Sequence, residues 1–300
     1  DDMLVELSDD EPIIVIKGDV FRLGRHRLIC GSFRDKELIE TLMDGNLART
    51  VNTDPPYNFP ADYIGNVEKK LHDDFEEGHG EMTDDEFVDF IAEIMQVSCD
   101  NSISGAIHYI FMDFRHTWHM GEAAKRIYGD CEPKQMCVWV KDLPGMGSFY
   151  KSQHELCFLY KHGNNRHLSN LDLKDRIRSN IWKYPSAVSV ANPDRDQIQN
   201  HPTPKPVAMV ADAILDVTID GDIVVDWFLG SGTALIACEK TNRICYATEL
   251  NPKFVQQIIT RYIRYCRNNG YTPEIEHLNG NLTLNDFEDG KRHDRPESCD

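Results

Sequence analysis

The chain has 300 residues and a formal net charge of −18, from 32 Lys and Arg against 50 Asp and Glu. With 41% hydrophobic and 27% charged residues it has the composition of a globular protein, which excludes collagen-like, low-complexity and coiled-coil chains. Its overall acidity argues against a coat of nucleic acid over the whole surface but leaves room for a local basic face.

Residues 1–18 read as an acidic tail or linker, with order beginning near the apolar run 13–16. Short apolar runs then recur at 27–30, 48–52, 106–112, 136–140, 156–160, 223–228 and 244–248. None approaches the roughly 18 residues of a membrane span, so no membrane association is expected. Between them lie helical patterns such as Phe87, Phe90, Ile91, Ile94 and Met95, or Phe254, Ile258, Tyr262 and Tyr265. Strands alternating with helices predict an α/β fold, a mostly parallel sheet with helices on both faces. Nine cysteines lie scattered with no close pair, which reads as reduced thiols and a cytoplasmic location.

The apolar run at 48–53 ends in Asp54-Pro55-Pro56-Tyr57-Asn58. Each proline fixes φ and lacks an N–H, so the segment is rigid. Directly after a strand it presents a carboxylate, a carbonyl and an aromatic ring together at the carboxyl edge of a sheet. That set suits an exocyclic amino group, whose lone pair is delocalised into its ring. If Asp54 and the Pro55 carbonyl each accept one amino proton, the lone pair is aimed at an electrophile, while Tyr57 stacks on the base.

Two segments then depart in charge. Residues 68–100 carry 12 acidic against 2 basic side chains and read as a solvated helix face. Residues 134–184 carry 9 basic against 4 acidic ones, interleaved with Trp139, Phe149, Tyr150, Trp182 and Tyr184. That mixture suits phosphate contacts and base stacking, and equally suits side chains lying over a core. His116 and His119, three apart in a helical pattern, read as packing or surface, and no metal is expected.

Late in the chain, His201-Pro202-Thr203-Pro204-Lys205-Pro206 leads into a helix and sets a hydroxyl and an ammonium beside its start. Asp226-Trp227-Phe228-Leu229-Gly230-Ser231-Gly232-Thr233 runs from a strand into another helix. Its glycines allow a tight turn, and the N–H groups at the helix start attract a carboxylate or phosphate. Glu249 ends the next strand, nineteen residues after Gly230, an offset at which an acid commonly grips ribose hydroxyls. Leu235 breaks the three-glycine dinucleotide pattern, so one nucleoside with an attached carboxylate fits better than NAD or FAD.

At these residues the chain resembles the DNA amino methyltransferases, which move a methyl group from S-adenosylmethionine to adenine N6 or cytosine N4. Asp54, Pro55, Pro56 and Tyr57 resemble the catalytic motif. Phe228, Leu229, Gly230, Ser231, Gly232 and Thr233, with Asp226 before them, resemble the cofactor loop, and Glu249 the ribose acid. Thr203 and Lys205 lie in a stretch similar to the motif that helps close the cofactor pocket. The order of these motifs is that of the beta group, which implies a circularly permuted Rossmann-like fold with a seven-stranded sheet. Residues 26–32 and 48–53 would be its third and fourth strands, and 136–141 with 154–161 its last hairpin.

The resemblance implies a catalytic half at 19–161, a target-recognition insertion at 162–200, a cofactor half at 201–270 and a polar tail at 271–300. It implies double-stranded DNA as partner, a homodimer, and, from residues 24–32, an upstream ParB-like domain. Asp at the first position of the catalytic motif leans towards adenine N6 over cytosine N4. Relatives commonly show Gly-Asp-Ser where this chain has Gly31-Ser32-Phe33, so Ser32 or Asp35 would substitute at the cofactor's adenine.

Overall fold

The structure, a computed structural model, describes residues 7, 11–59, 80–145, 149–171, 177–186 and 205–290. All ten strands of the described residues join one sheet. They are β1 Val20–Leu23, β2 His26–Cys30, β3 Ala48–Thr53, β4 Ser102–Met112, β5 Gln135–Val140, β6 His154–Lys161, β7 Ile181–Lys183, β8 Ile223–Asp226, β9 Ile244–Glu249 and β10 Ile275–His277. The helices are α1 Lys36–Met43, α2 Asp84–Asp100, α3 Thr117–Ile127, α4 Val207–Val217, α5 Thr233–Lys240, α6 Pro252–Asn268 and α7 Leu284–Asp289.

Local chemistry sets several helix starts. The Asp35 carboxylate accepts the N–H groups of Glu37 and Leu38 ahead of α1. Thr83 and Glu86 form a reciprocal capping box ahead of α2. Asn251 caps α6, whose first turn holds Pro252. The helical patterns bury as their spacing predicts: Phe87, Phe90, Ile91, Ile94 and Met95 of α2, and Phe254, Ile258, Tyr262 and Tyr265 of α6.

The sheet order is β10-β1-β2-β9-β8-β3-β4-β6-β5-β7. From β2 to β4 every pairing is parallel, and β6 then runs antiparallel to both β4 and β5. Counting from β8, the centre reads 3-2-1-4-5, the doubly wound order, with its third, fourth and fifth strands ahead of the first two in the chain. The expected permuted fold is therefore present. Side chains alternate across the sheet, so that Ile29 and Val225 pack with α1, α2 and α3 on one face. Leu28 and Val224 pack with α4, α5 and α6 on the other.

The seven expected strands are β2, β3, β4, β5, β6, β8 and β9. Three more extend the edges. Strand β1 folds back on β2 through Gly24, at φ 55, a position where an added Cβ would meet the Tyr262 hydroxyl at 2.6 Å. Strand β10 pairs with β1, and β7 with β5.

Residues of both the first and the last expected segment pack on the fold. Within 1–18, Ile14 and Val15 are buried, and the Ile14 N–H donates to Gln256 Oε1 at 2.7 Å, so this run docks on α6. Within 271–300, β10 completes the sheet edge, Leu282 is buried and Thr283 and Asp286 cap α7. A stretch of polar residues can hold an edge strand because only part of its surface needs covering. In 162–200, the described residues pack back on the sheet: Trp182 is buried, and the Asn170 amide donates to Leu215 O at 2.7 Å and Thr218 O at 2.9 Å. Residues 1–6, 8–10, 172–176, 187–200 and 291–300 lie outside the described residues.

Among the described residues no helix is long and apolar enough to cross a membrane. The cysteines among them are free thiols.

Candidate active site

In doubly wound sheets ligands bind beyond the carboxyl ends of the strands, where the strand order reverses. Here that point lies between β3 and β8, and both ends carry acids. The Thr53 hydroxyl donates to Asp226 Oδ1 at 3.0 Å, so the strand leading to Asp54 and the strand leading to the glycine loop meet directly.

Asp54 follows β3 with a side chain 35% exposed. Pro55 is buried and Pro56 half-buried, which fixes the path of the loop. The Tyr57 hydroxyl donates to Asp54 Oδ1 at 2.7 Å. Burial, the Asp54 and Glu155 charges and that bond hold the Tyr57 phenol well above its ordinary range, so it stays a donor. The expected role of Tyr57 was a stacking ring; the structure adds an orienting hydroxyl. Asn58, at φ 52, anchors the loop from behind. Its amide donates to Met82 O at 2.8 Å and its carbonyl accepts from Gly80 and Met82 N–H at 3.0 and 3.2 Å.

Lys205 touches both halves of the site. Its carbonyl does lie at the glycine loop, accepting from the Thr233 hydroxyl at 3.3 Å. Its ammonium instead reaches Asp54 Oδ2 at 2.5 Å and Glu155 Oε2 at 3.0 Å, and the side chain is only 8% exposed. On the far side, Lys141 Nζ lies 2.5 Å from Glu155 Oε1. Burial pushes the Glu155 carboxyl up, and the Lys205 and Lys141 ammonium groups overcome it, holding the carboxyl at about 2. Burial pushes Lys205 down, and Asp54 and Glu155 reverse that, leaving it above its ordinary value. Sequence reasoning missed Glu155 and Lys141. The available signal was Glu155 itself, a charge in phase with Cys157 and Leu159 on an inward strand face.

The glycine loop is built for close approach. Gly230 and Gly232 adopt φ 53 and 86, and a Cβ on Gly232 would press on Ile258 at 3.3 Å. Helix α5 starts at Thr233 with no side-chain cap. Its first N–H groups are therefore available to an anionic ligand. Ser231 and Thr233 face each other at 3.1 Å between hydroxyls, and the Ser231 carbonyl accepts from Arg261 at 2.8 Å. Glu249 Oε2 accepts the Gly230 N–H at 2.8 Å and its Oε1 the Asn251 N–H at 2.9 Å, which fixes the carboxylate beside the loop. The Gly31 N–H donates to the Glu249 carbonyl at 2.9 Å, which draws residues 31–33 to the same edge.

Other members of the expected cofactor set serve the frame. Asp226 accepts from Thr53 and from the Phe228 N–H at 3.1 Å. Burial raises its carboxyl to about 7, against the pull of those two bonds and with help from Asp54 and Glu249. Leu229 is buried and packs in the core. The Phe228 ring lies 5.2 Å from Phe33 and 6.0 Å from Phe90, an apolar wall beside the loop. The Ser32 hydroxyl accepts from the Arg34 N–H at 3.2 Å, and Asp35 is occupied as the α1 cap. Thr203 lies outside the described residues.

The basic and aromatic stretch divides on inspection. Trp139 and Trp182 are buried, and the Tyr184 hydroxyl donates to Asp212 at 2.5 Å, so these three are structural. Phe149 and Tyr150 are 86% and 84% exposed, with ring centres 4.5 Å apart, in the connection between β5 and β6. His116 and His119 pack against Phe87 at 4.8 and 5.4 Å between ring centres.

The DNA methylase family matches this chain over residues 48–260, which spans β3, Asp54, the glycine loop and Glu249. The chain belongs to that family. The type II methyltransferase M.HpaI of Haemophilus parainfluenzae is 26% identical over 251 residues, 77% of this chain and 72% of the relative. The M1.HpyAVI–SAM complex shares the fold with a TM-score of 0.53 at 18% identity, covering 78% of this chain and 98% of that one. The cytosine-N4-specific PvuII DNA methyltransferase does so with a TM-score of 0.58 at 14% identity, covering 89% and 91%. The methylase is a DNA amino methyltransferase of the N6-adenine or N4-cytosine type, and its methyl donor is S-adenosylmethionine. The residues present fit that cofactor: an uncapped helix start for its carboxylate, an acid beside the loop for ribose hydroxyls and an aromatic wall.

Proposed function

We propose that this methylase modifies N6 of adenine in double-stranded DNA, on a base rotated out of the helix. A stacked and paired amino group cannot reach a carboxylate set at the end of a sheet strand. The observation that carries the reading is the meeting of Asp54 and the glycine loop through Thr53 and Asp226. When bound, S-adenosylmethionine supplies an electrophilic methyl group. Residues 230–233 would hold its carboxylate and Glu249 its ribose hydroxyls. Asp54 and the Pro55 carbonyl accept the two amino protons, which draws the nitrogen out of conjugation and aims its lone pair. Tyr57 orients Asp54 and offers its ring to the base.

Asp at the head of the motif supports adenine. So does a stretch of 86 residues that is 30% identical to the DNA adenine methyltransferase YhdJ of Escherichia coli strain K12, covering 29% of this chain and 28% of that enzyme. Mass spectrometry of nucleosides from DNA and RNA incubated with the enzyme and cofactor tests the reading. We expect N6-methyladenine in duplex DNA; N4-methylcytosine, or modification confined to RNA, overturns it. A homodimer, an upstream ParB-like domain and a cytoplasmic location belong to the same proposal on family resemblance, and sedimentation of the purified chain tests the first.

A further inference from the structure

Four charges alternate in a buried row at the candidate site: Asp54, Lys205, Glu155 and Lys141, with contacts of 2.5, 3.0 and 2.5 Å. Asp54 is at its accessible end, with 35% of the side chain exposed, against 8% for Lys205 and 13% for Glu155. Both oxygens of Asp54 already have donors, Tyr57 on one and Lys205 on the other. An incoming amino group therefore shares Asp54 with an ammonium and competes with it for the carboxylate's charge. The competition also matters after the bond is made, because a nitrogen that accepts a methyl group gains positive charge, and a fixed cation nearby opposes that.

We infer that Glu155 is a positioning residue for methyl transfer: it holds the Lys205 ammonium in common with Asp54 and takes the larger share of it when an amino group engages Asp54. This rests on the reading of Asp54 as the acceptor of amino protons, and it holds equally for adenine and cytosine. The ammonium has three donors and is already within reach of both carboxylates, so the shift needs little movement. Without Glu155, releasing Asp54 would strand a buried, unpaired cation, a costly state. Lys141 keeps Glu155 ionised and in place from behind. No covalent bond changes in this step.

The test compares wild type, Glu155→Gln, and Glu155→Gln combined with Lys205→Met, using full-length chain, duplex DNA and labelled S-adenosylmethionine. Glu155→Gln keeps the side-chain shape but leaves the ammonium to Asp54. Its single-turnover rate should fall at least about tenfold, with cofactor affinity by calorimetry unchanged. Adding Lys205→Met should then raise the rate several-fold, a rescue that a merely structural role for Glu155 does not predict. Should Glu155→Gln fail to fold, Glu155→Asp serves, with an intermediate rate expected and a wild-type rate overturning the inference. A normal rate in Glu155→Gln, or no rescue in a folded double variant, also overturns it. Wild type inactive on every nucleic acid defeats the parent reading as well, so the two failures are distinguishable.

Discussion

The Thr53 hydroxyl donates to Asp226, 173 positions further along the chain, and accepts the Trp227 N–H at 3.2 Å. One side chain thus joins the two strand ends on either side of the switch point. Thr53→Val keeps the shape and removes both bonds, taking its partner from the buried Trp227 N–H. Chemical denaturation should show a loss of about 1–3 kcal/mol, accompanied by weaker cofactor binding. A variant as stable as wild type would separate the two strand ends energetically.

Asp54→Asn retains the size of the side chain but cannot accept amino protons as a carboxylate does. Methyl incorporation into DNA should fall by at least about 1,000-fold. Cofactor affinity should change little, because Asp54 lies across the switch point from Glu249. Normal turnover would remove Asp54 from the chemistry.

Glu249→Ala deletes both the proposed ribose acceptor and the bond to the Gly230 N–H. Calorimetry should show S-adenosylmethionine binding weakened by at least about tenfold, or ~1.4 kcal/mol. Unchanged affinity would argue that the carboxylate only braces the loop.

Asp226 gives a pH signature. Its carboxyl is raised in the folded protein to about 7 from an ordinary 3.8. Folding therefore takes up a proton across that interval, and the contribution is present below 3.8 and lost as pH rises through about 7. Asp226→Asn should flatten this part of the stability profile, and denaturant midpoints at pH 5, 6, 7 and 8 compared with wild type measure it. Equal slopes in the two proteins would contradict the assigned environment.

Phe149 and Tyr150 stand in water on the connection that leads into β6 and Glu155. If they stack on DNA bases, replacing both with Ala should raise KM for duplex DNA by at least about 30-fold, since base stacking is worth about 1–3 kcal/mol per aromatic. Stability and cofactor affinity should not move. An unchanged KM would leave DNA contact to other surfaces.

The parts legible from sequence share a cause. The central strands announced themselves as apolar runs because both of their faces are covered by helices, as in Val51 of β3 or Val224 and Val225 of β8. Strands β1, β7 and β10 sit at or near the edges, are three or four residues long and carry polar side chains, so their pairing partners define them more than their own residues do. The same contrast holds in the site. Asp54 and Glu249 lie in local motifs, whereas Glu155 meets Lys205 only because β6 turns antiparallel beside β4. Asn58 was visible in the sequence, but its grip on Gly80 and Met82 depends on a distant turn.

The permuted strand order has a consequence for biosynthesis. Strand β8, which fills the gap between β9 and β3, is made only after every strand from β1 to β7. Until then β3 lacks its inner neighbour and β2 lacks β9, so the nascent chain carries open strand edges that invite wrong pairing. Translation must run past β8 before Asp54 acquires its opposite wall, and an interrupted product ending before Glu249 bears the Asp-Pro-Pro-Tyr loop without the acid proposed to hold the cofactor's ribose.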